Sequence, residues 1–92
     1  MILSFKHRGL AELFESGHSR YVRADLIRRA VRRLDALHAA TRPEHLRMPG
    51  FDFHRLTGAT PVRYSVHVNG PWCITFGWSN DDAIDVDLVN YH

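Results

Sequence analysis

The sequence predicts an α+β domain in which N-terminal helices pack on one face of a mainly antiparallel sheet, and three observations lead there. Apolar residues recur at intervals of three and four between Gly9 and Ala40, which is helical spacing. From Tyr64 to Val89 they alternate with polar ones instead, which is strand spacing. Asn69-Gly70-Pro71 and Asn80-Asp81-Asp82 cut the alternating stretch into strands joined by short turns. Helices followed by a meander of strands place the helices to one side of a sheet.

The elements follow in order. Ile2, Leu3 and Phe5 read as a short edge strand that Lys6 and His7 end. Gly9 to Ser16 sets Leu10, Leu13 and Phe14 at helical spacing, with Gly17 placed to stop the helix. Ala24 to Ala40 is the longer helix: Ile27, Ala30, Val31, Leu34 and Leu37 form the packing face, while Arg28, Arg29, Arg32 and Asp35 fall largely on the other side. Thr41 and Glu44 around Pro43 fit a capping box for one more turn through Leu46. Phe53 to Leu56 reads as a strand and Gly58 to Pro61 as the turn after it.

Parity sets the register of the next hairpin. A two-residue Asn-Gly turn would pair Val68 with Pro71 and set His67 against Trp72, mixing apolar and polar faces. A three-residue loop pairs Val68 with Trp72 and Val66 with Ile74. With that loop Tyr64, Val66, Val68, Trp72, Ile74 and Phe76 face the helices, and Arg63, Ser65, His67, Cys73 and Thr75 form an open polar face. Ala83 to Val89 is then the last strand, with Ile84, Val86 and Leu88 inward.

Ninety-two residues suffice for one domain, 1–92, and a 45% hydrophobic content suffices for its core. Cys73 is the sole cysteine, which excludes an internal disulfide and a thiolate metal cluster and suits a reducing compartment, the cytoplasm. Met1 to Lys6 is too short for a signal peptide, and no apolar run approaches a membrane span, so a soluble chain without membrane contact is expected.

Net charge is only +2, but arginines crowd the stretch from Arg8 to Arg47 while Asp81, Asp82, Asp85 and Asp87 crowd the end. Lys6 is the single lysine; every other base is arginine, the side chain that binds phosphate bidentately. A solvated helix face explains the same arginines equally well. The sequence has no phosphate-cradling glycine loop, zinc-ligand spacing or nucleophile elbow, which removes the motifs of nucleotide and metal-assisted hydrolysis. His54 and His67 are the nearest approach to a metal pair, and scattered histidines are more often not ligands; no metal or other cofactor is expected.

RNA can be cut without metal when its own 2′-hydroxyl attacks the neighbouring phosphate, so that a protein need supply only proton transfer and positive charge. His54, His67, Arg63, Tyr91 and His92 are candidates on or beside the open face. A merely solvated sheet face is the competing reading.

Several segments resemble the HigB toxins of the RelE/ParE-like superfamily. They are Met1-Ile2 with Ser4-Phe5-Lys6-His7 and Gly9-Leu10, then Leu13-Phe14-Glu15 with Gly17, and Ala39-Ala40-Thr41 with Pro43-Glu44. Phe53-His54 with Leu56 and Gly58, Tyr64-Ser65-Val66 with Val68-Asn69-Gly70 and Trp72, and Asp85-Val86 with Tyr91-His92 continue the likeness to the end of the chain. Each motif is weak alone; their order and spacing are specific.

The resemblance implies the compact RelE-like fold, ribosome-dependent cleavage of messenger RNA, and a HigA-type helix-turn-helix antitoxin whose complex with the toxin binds operator DNA. By position it implies that His54, Tyr91 and His92 surround the scissile phosphate, Tyr91 shaping the site or sharing proton transfer and His54 or His92 acting as acid or base. Arg63 and His67, together with Arg28, Arg29 and Arg32, are then expected to hold RNA or the ribosome.

Three positions depart from the family: Thr57 where lysine is common in the His-x-Leu-Lys-Gly stretch, Asn90 where aspartate precedes Tyr-His, and Cys73 where an arginine follows the tryptophan. The last removes the family's phosphate-stabilising cation, for which a thiol with one weak donor is no substitute. Cys73 therefore reads as an inactivating arginine-to-cysteine change in a detoxified copy, with natural divergence as the rival; Arg63, on the same side of the hairpin, is placed to compensate, and a catalytically silent relative that only binds antitoxin or RNA is the second possibility. A plain nucleic-acid adaptor using the basic helix from Arg28 to Arg33 is the third possibility, although Tyr64, Trp72 and Phe76, its potential stacking residues, fall on the inward face.

Overall fold

Apolar residues three and four apart line one side of a helix, and both predicted helices form on that basis in the computed structural model, which describes residues 1–91. Helix α1 spans Arg8–Ser16 and buries Leu10 and Leu13. His7 caps it, its Nδ1 accepting from the Leu10 N–H at 3.1 Å, and Gly17 closes it in the left-handed conformation, its N–H donating to the Leu13 carbonyl. Helix α2 spans Ile27–Ala39 and buries Ala30, Leu34 and Leu37, while Ile27 and Val31 are half-buried. Its predicted first turn, Ala24–Leu26, winds as a tighter 3-10 turn.

The extra turn after α2 exists as a 3-10 turn at Pro43–Leu46, but the predicted capping box does not form. Arg42 occupies the cap without a side-chain bond, and the Thr41 N–H donates to the His45 Nδ1 at 3.3 Å instead.

The sheet is an antiparallel meander in chain order: β1 His54–Arg55, β2 Tyr64–Asn69, β3 Trp72–Ser79 and β4 Asp82–Asn90. Strand β1 is two residues shorter than the predicted Phe53 to Leu56. The N-terminal segment meets the free edge of β4 through isolated parallel bridges, Ile2 with Ala83 and Phe5 with Val86, rather than as a full strand. Both helices pack on one face, where Leu10, Leu13, Leu34 and Leu37 join Val66, Val68, Ile74, Phe76, Val86 and Leu88 in a single core.

Val66 pairs with Ile74 and Tyr64 with Phe76, as parity requires. The connection itself differs from the expected three-residue loop: Asn69 pairs with Trp72 across Gly70-Pro71, and a bulge between His67 and Asn69 absorbs the extra residue. Val68 and Trp72 still end on the helix-covered face.

A second bulge corrects β4. Thr75 pairs with Asp87 but Gly77 with Ile84, leaving Asp85 at φ 51° between them. The Ser4 hydroxyl accepts from the Asp85 N–H at 2.8 Å and holds this kink. Its consequence is that Ala83, not Ile84, joins the core, and Ile84 lies against Gly77 on the opposite face. An extra residue inserted between Ile84 and Val86 shifts the alternation by one, which strand parity alone does not reveal.

Gly9 is buried where α1 approaches the segment after it. A Cβ there would stand 2.8 Å from His7 Cε1, 2.9 Å from Tyr21 Cβ and 3.0 Å from Val22 Cγ2. Helix propensity alone favours alanine over glycine by about 1 kcal/mol. The expected outcome for Gly9→Ala is the reverse, a loss of about 1–3 kcal/mol from overpacking, read from the urea midpoint; a more stable variant would show that α1 does not sit this close.

Candidate active site

Cross-strand partners share a face, so the register assembles the site in rows. The first row runs His54, Ser65, Thr75 and Asp87 across all four strands. The second runs His67, Cys73 and Val89. A third begins with Arg63, next to Tyr64 of β2, and continues through Gly77 and Ile84. The predicted polar face is therefore real, but it is not uniformly open. Ser65 is fully buried and Thr75 is 3% exposed.

Arg63 is the principal cation on this face. It reaches from just before β2 onto β3, where its Nη2 donates to the Thr75 Oγ1 at 2.9 Å. Gly77 lies beside it: a Cβ there would stand 3.7 Å from Arg63 Nη1, an ordinary contact distance, and a tighter 3.2 Å from Ile84 Cγ1. None of the ion pairs among the described residues, Met1–Asp82, Arg8–Glu12 and Arg23–Asp25, involves Arg63. Its charge is held by a neutral acceptor, which leaves it available to an anion.

The histidines are held by backbone oxygens. Exposed His54 places Nδ1 3.0 Å from the Asp52 carbonyl, and half-buried His67 places Nε2 2.9 Å from the Gly70 carbonyl. If each nitrogen so engaged carries the proton, His54 presents Nε2 and His67 presents Nδ1 as the free basic nitrogen.

Cys73 is half-buried between His67 and Val89. Tyr91 is 49% exposed and follows β4, its N–H donating to the Pro71 carbonyl at 2.8 Å; alternation along β4 carries it to the side of Asp87 and Val89, next to the Cys73 row. His92 lies outside the described residues. His54, Arg63, His67, Cys73 and Tyr91 thus fall on one side of the sheet.

The α2 arginines stand apart from them. Arg28, Arg29 and Arg32 are exposed on the helix layer, although Arg29 Nη1 donates to the Asn69 Oδ1 at 2.7 Å and so touches the hairpin. Sequence reasoning misses two participants. Thr75 positions Arg63, a role that no motif signals. Arg33 reads in the sequence as part of the exposed basic helix, yet it is 6% exposed; its place one residue before Leu34 and three after Ala30, beside the packing stripe, is the signal that points inward.

The chain matches the family of HigB-like toxins, described as RelE-like toxins of type II toxin–antitoxin systems, over residues 3–92. It belongs to that family. The two-helix layer on a four-strand antiparallel sheet agrees with a RelE-like α+β fold. The toxin is also 38% identical to the Endoribonuclease HigB of Proteus vulgaris, with all of both chains aligned. As a type II toxin it has an antitoxin as its partner. Among the described residues, no helix of the toxin is long and apolar enough to cross a membrane.

Thr75→Val keeps the side-chain shape and removes the acceptor for Arg63. The expected result is a loss of about 1.5–3 kcal/mol in urea unfolding, the net worth of a hydrogen bond to a charged group. An unchanged midpoint would mean that Arg63 is held by other groups.

Proposed function

We propose that this toxin is an endoribonuclease, a single domain over residues 1–92, which cleaves messenger RNA on the ribosome by metal-free attack of the RNA 2′-hydroxyl. The full-length identity to a relative named as an endoribonuclease carries the reading. The arrangement of the sheet face supports it, because the reaction needs one fixed positive charge at the phosphate and proton-transfer groups on either side.

Arg63 supplies that charge in place of the arginine that the family keeps at the position of Cys73. Its guanidinium is already fixed by Thr75 at 2.9 Å, so little ordering is needed when the phosphorane forms. His54, carried by β1 on the Thr75 row, and His92 provide the acid and base, with His67 contributing to RNA binding. Tyr91, at the end of β4, shapes the nucleotide position and shares proton transfer. The antitoxin is of the HigA type, with a helix-turn-helix, and operator DNA is bound only through the complex. No cofactor is required, and the site of action is the cytoplasm.

A second reading is favoured by one specific observation, the half-buried Cys73 itself. In that reading the chain binds RNA or antitoxin without cutting.

The experiment compares the natural chain, Arg63→Ala, Cys73→Arg and the double variant, each expressed from a repressed promoter with and without antitoxin, by growth and by primer extension of messenger RNA. The natural chain is expected to cut in-frame messages on ribosomes. Arg63→Ala should lower the rate by about 10² to 10³, the cost of removing one charge-stabilising donor. Cys73→Arg should restore cutting in the double variant. If the natural chain does not cut and Cys73→Arg does, Arg63 does not compensate and the binding-only reading holds.

A further inference from the structure

The basic helix and the β2–β3 hairpin enclose a second polar cleft, of about 300 Å3, between Arg29, Arg32 and Arg33 on one side and Gly50, Phe51 and His67 on the other. Arg33 is its anchor. Its Nε donates to the His67 carbonyl at 2.9 Å, Nη1 to the Arg29 carbonyl at 3.3 Å and Nη2 to the Gly50 carbonyl at 3.2 Å. The Phe51 ring lies 4.4 Å from the guanidinium carbon. These interactions fix the position of a guanidinium that is nearly removed from water and leave it two N–H donors.

Buried charges in proteins are ordinarily paired. Arg33 is not: among the described residues the ion pairs are Met1–Asp82, Arg8–Glu12 and Arg23–Asp25, all elsewhere. Its nearest charged neighbours repel it. Burial, then Arg32, then Arg29 lower its pKa from the ordinary arginine value. Arg29 is itself held at the rim, 2.7 Å from Asn69 Oδ1. A cleft with a fixed cation at its base, two more at its edge and no carboxylate is built to take an anion.

We infer that this cleft is a second phosphate subsite, binding a backbone phosphodiester of RNA at Arg29, Arg32 and Arg33, separate from the face where cleavage takes place. Bidentate guanidinium groups match phosphate oxygens. An acidic protein partner fits less well, because protein interfaces usually surround their arginine anchors with buried aromatic or apolar contacts. The aromatic ring here, Phe51, is 2% exposed beneath Arg33 and offers none. The inference rests on the endoribonuclease reading for its choice of RNA. It puts RNA on both sides of the β2–β3 hairpin: Arg33 holds the His67 carbonyl from the helix layer, while the Cys73 row lies on the opposite face.

The test uses the full chain and a single-stranded RNA whose 2′-oxygens are methylated, which blocks the attacking hydroxyl, with binding followed by fluorescence anisotropy over a salt series. Arg29 and Arg32 are exposed, so Arg29→Glu/Arg32→Glu should fold as the natural chain does, checked by circular dichroism. The double variant is expected to bind at least about tenfold more weakly at low salt, with its log–log salt slope reduced by about 0.7 for each phosphate that is no longer neutralised. Arg33→Lys, which keeps the charge but not the fork, should weaken binding while the fold is retained. In ribosomal cleavage the double variant should raise KM and leave kcat unchanged.

Unaltered RNA affinity and slope in the double variant would overturn the subsite, as would a loss confined to antitoxin binding. A chain that cuts no RNA but loses RNA affinity on Arg29→Glu/Arg32→Glu would sink the cleavage reading and leave the cleft standing. One that cuts RNA identically with and without those charges would sink the cleft alone.

Discussion

The register of β3 between β2 and β4 decides what each side of this toxin carries. Ile74 and Phe76 pair into the helix-covered face and are fully buried, while Cys73, Thr75 and Gly77 fall on the other side. A slip of one residue would exchange the two sets and put Thr75 and Cys73 into the core. Each fully buried large apolar side chain contributes about 1.5–3 kcal/mol, so no alternative register competes. The chemistry of the open face is thereby set by the packing of the hidden one.

Two bulges adjust this register without undoing it. The one before Asn69 lets the chain turn at Gly70-Pro71 while Val68 and Trp72 stay on the core side. The one at Asp85, pinned by Ser4, puts Ile84 on the face opposite the helices, where it packs against Gly77 beside Arg63. The N-terminal segment, bridged to β4 at Ile2 and Phe5, thus has a part in shaping the candidate site, and its Lys6 lines the same pocket as Arg63.

Arg33 ties the two layers together. Through three backbone carbonyls it joins α2, the loop at Gly50 and the hairpin at His67. Hydrogen bonds to a charged donor are among the stronger ones, and carbonyl oxygens offset its desolvation without neutralising it. A carboxylate in the same place would have made a closed structural ion pair. Carbonyls instead leave the positive charge to act beyond the protein.

Much of the arrangement was legible in the sequence. Periodicity located both helices and three of the strands, and alternation in the hairpin placed Arg63, Ser65, His67, Cys73 and Thr75 on one face, because side-chain direction in a strand depends on residue spacing alone. The order of short motifs, ending in Tyr91-His92, pointed to the toxin family. Tertiary structure alone decided the rest. That Ile84 leaves the core, that Thr75 holds Arg63, that Ser65 is enclosed and that Arg33 is buried each depend on the meeting of residues far apart in the chain. Local spacing says which way a side chain points; what it meets there is determined only when separate elements pack.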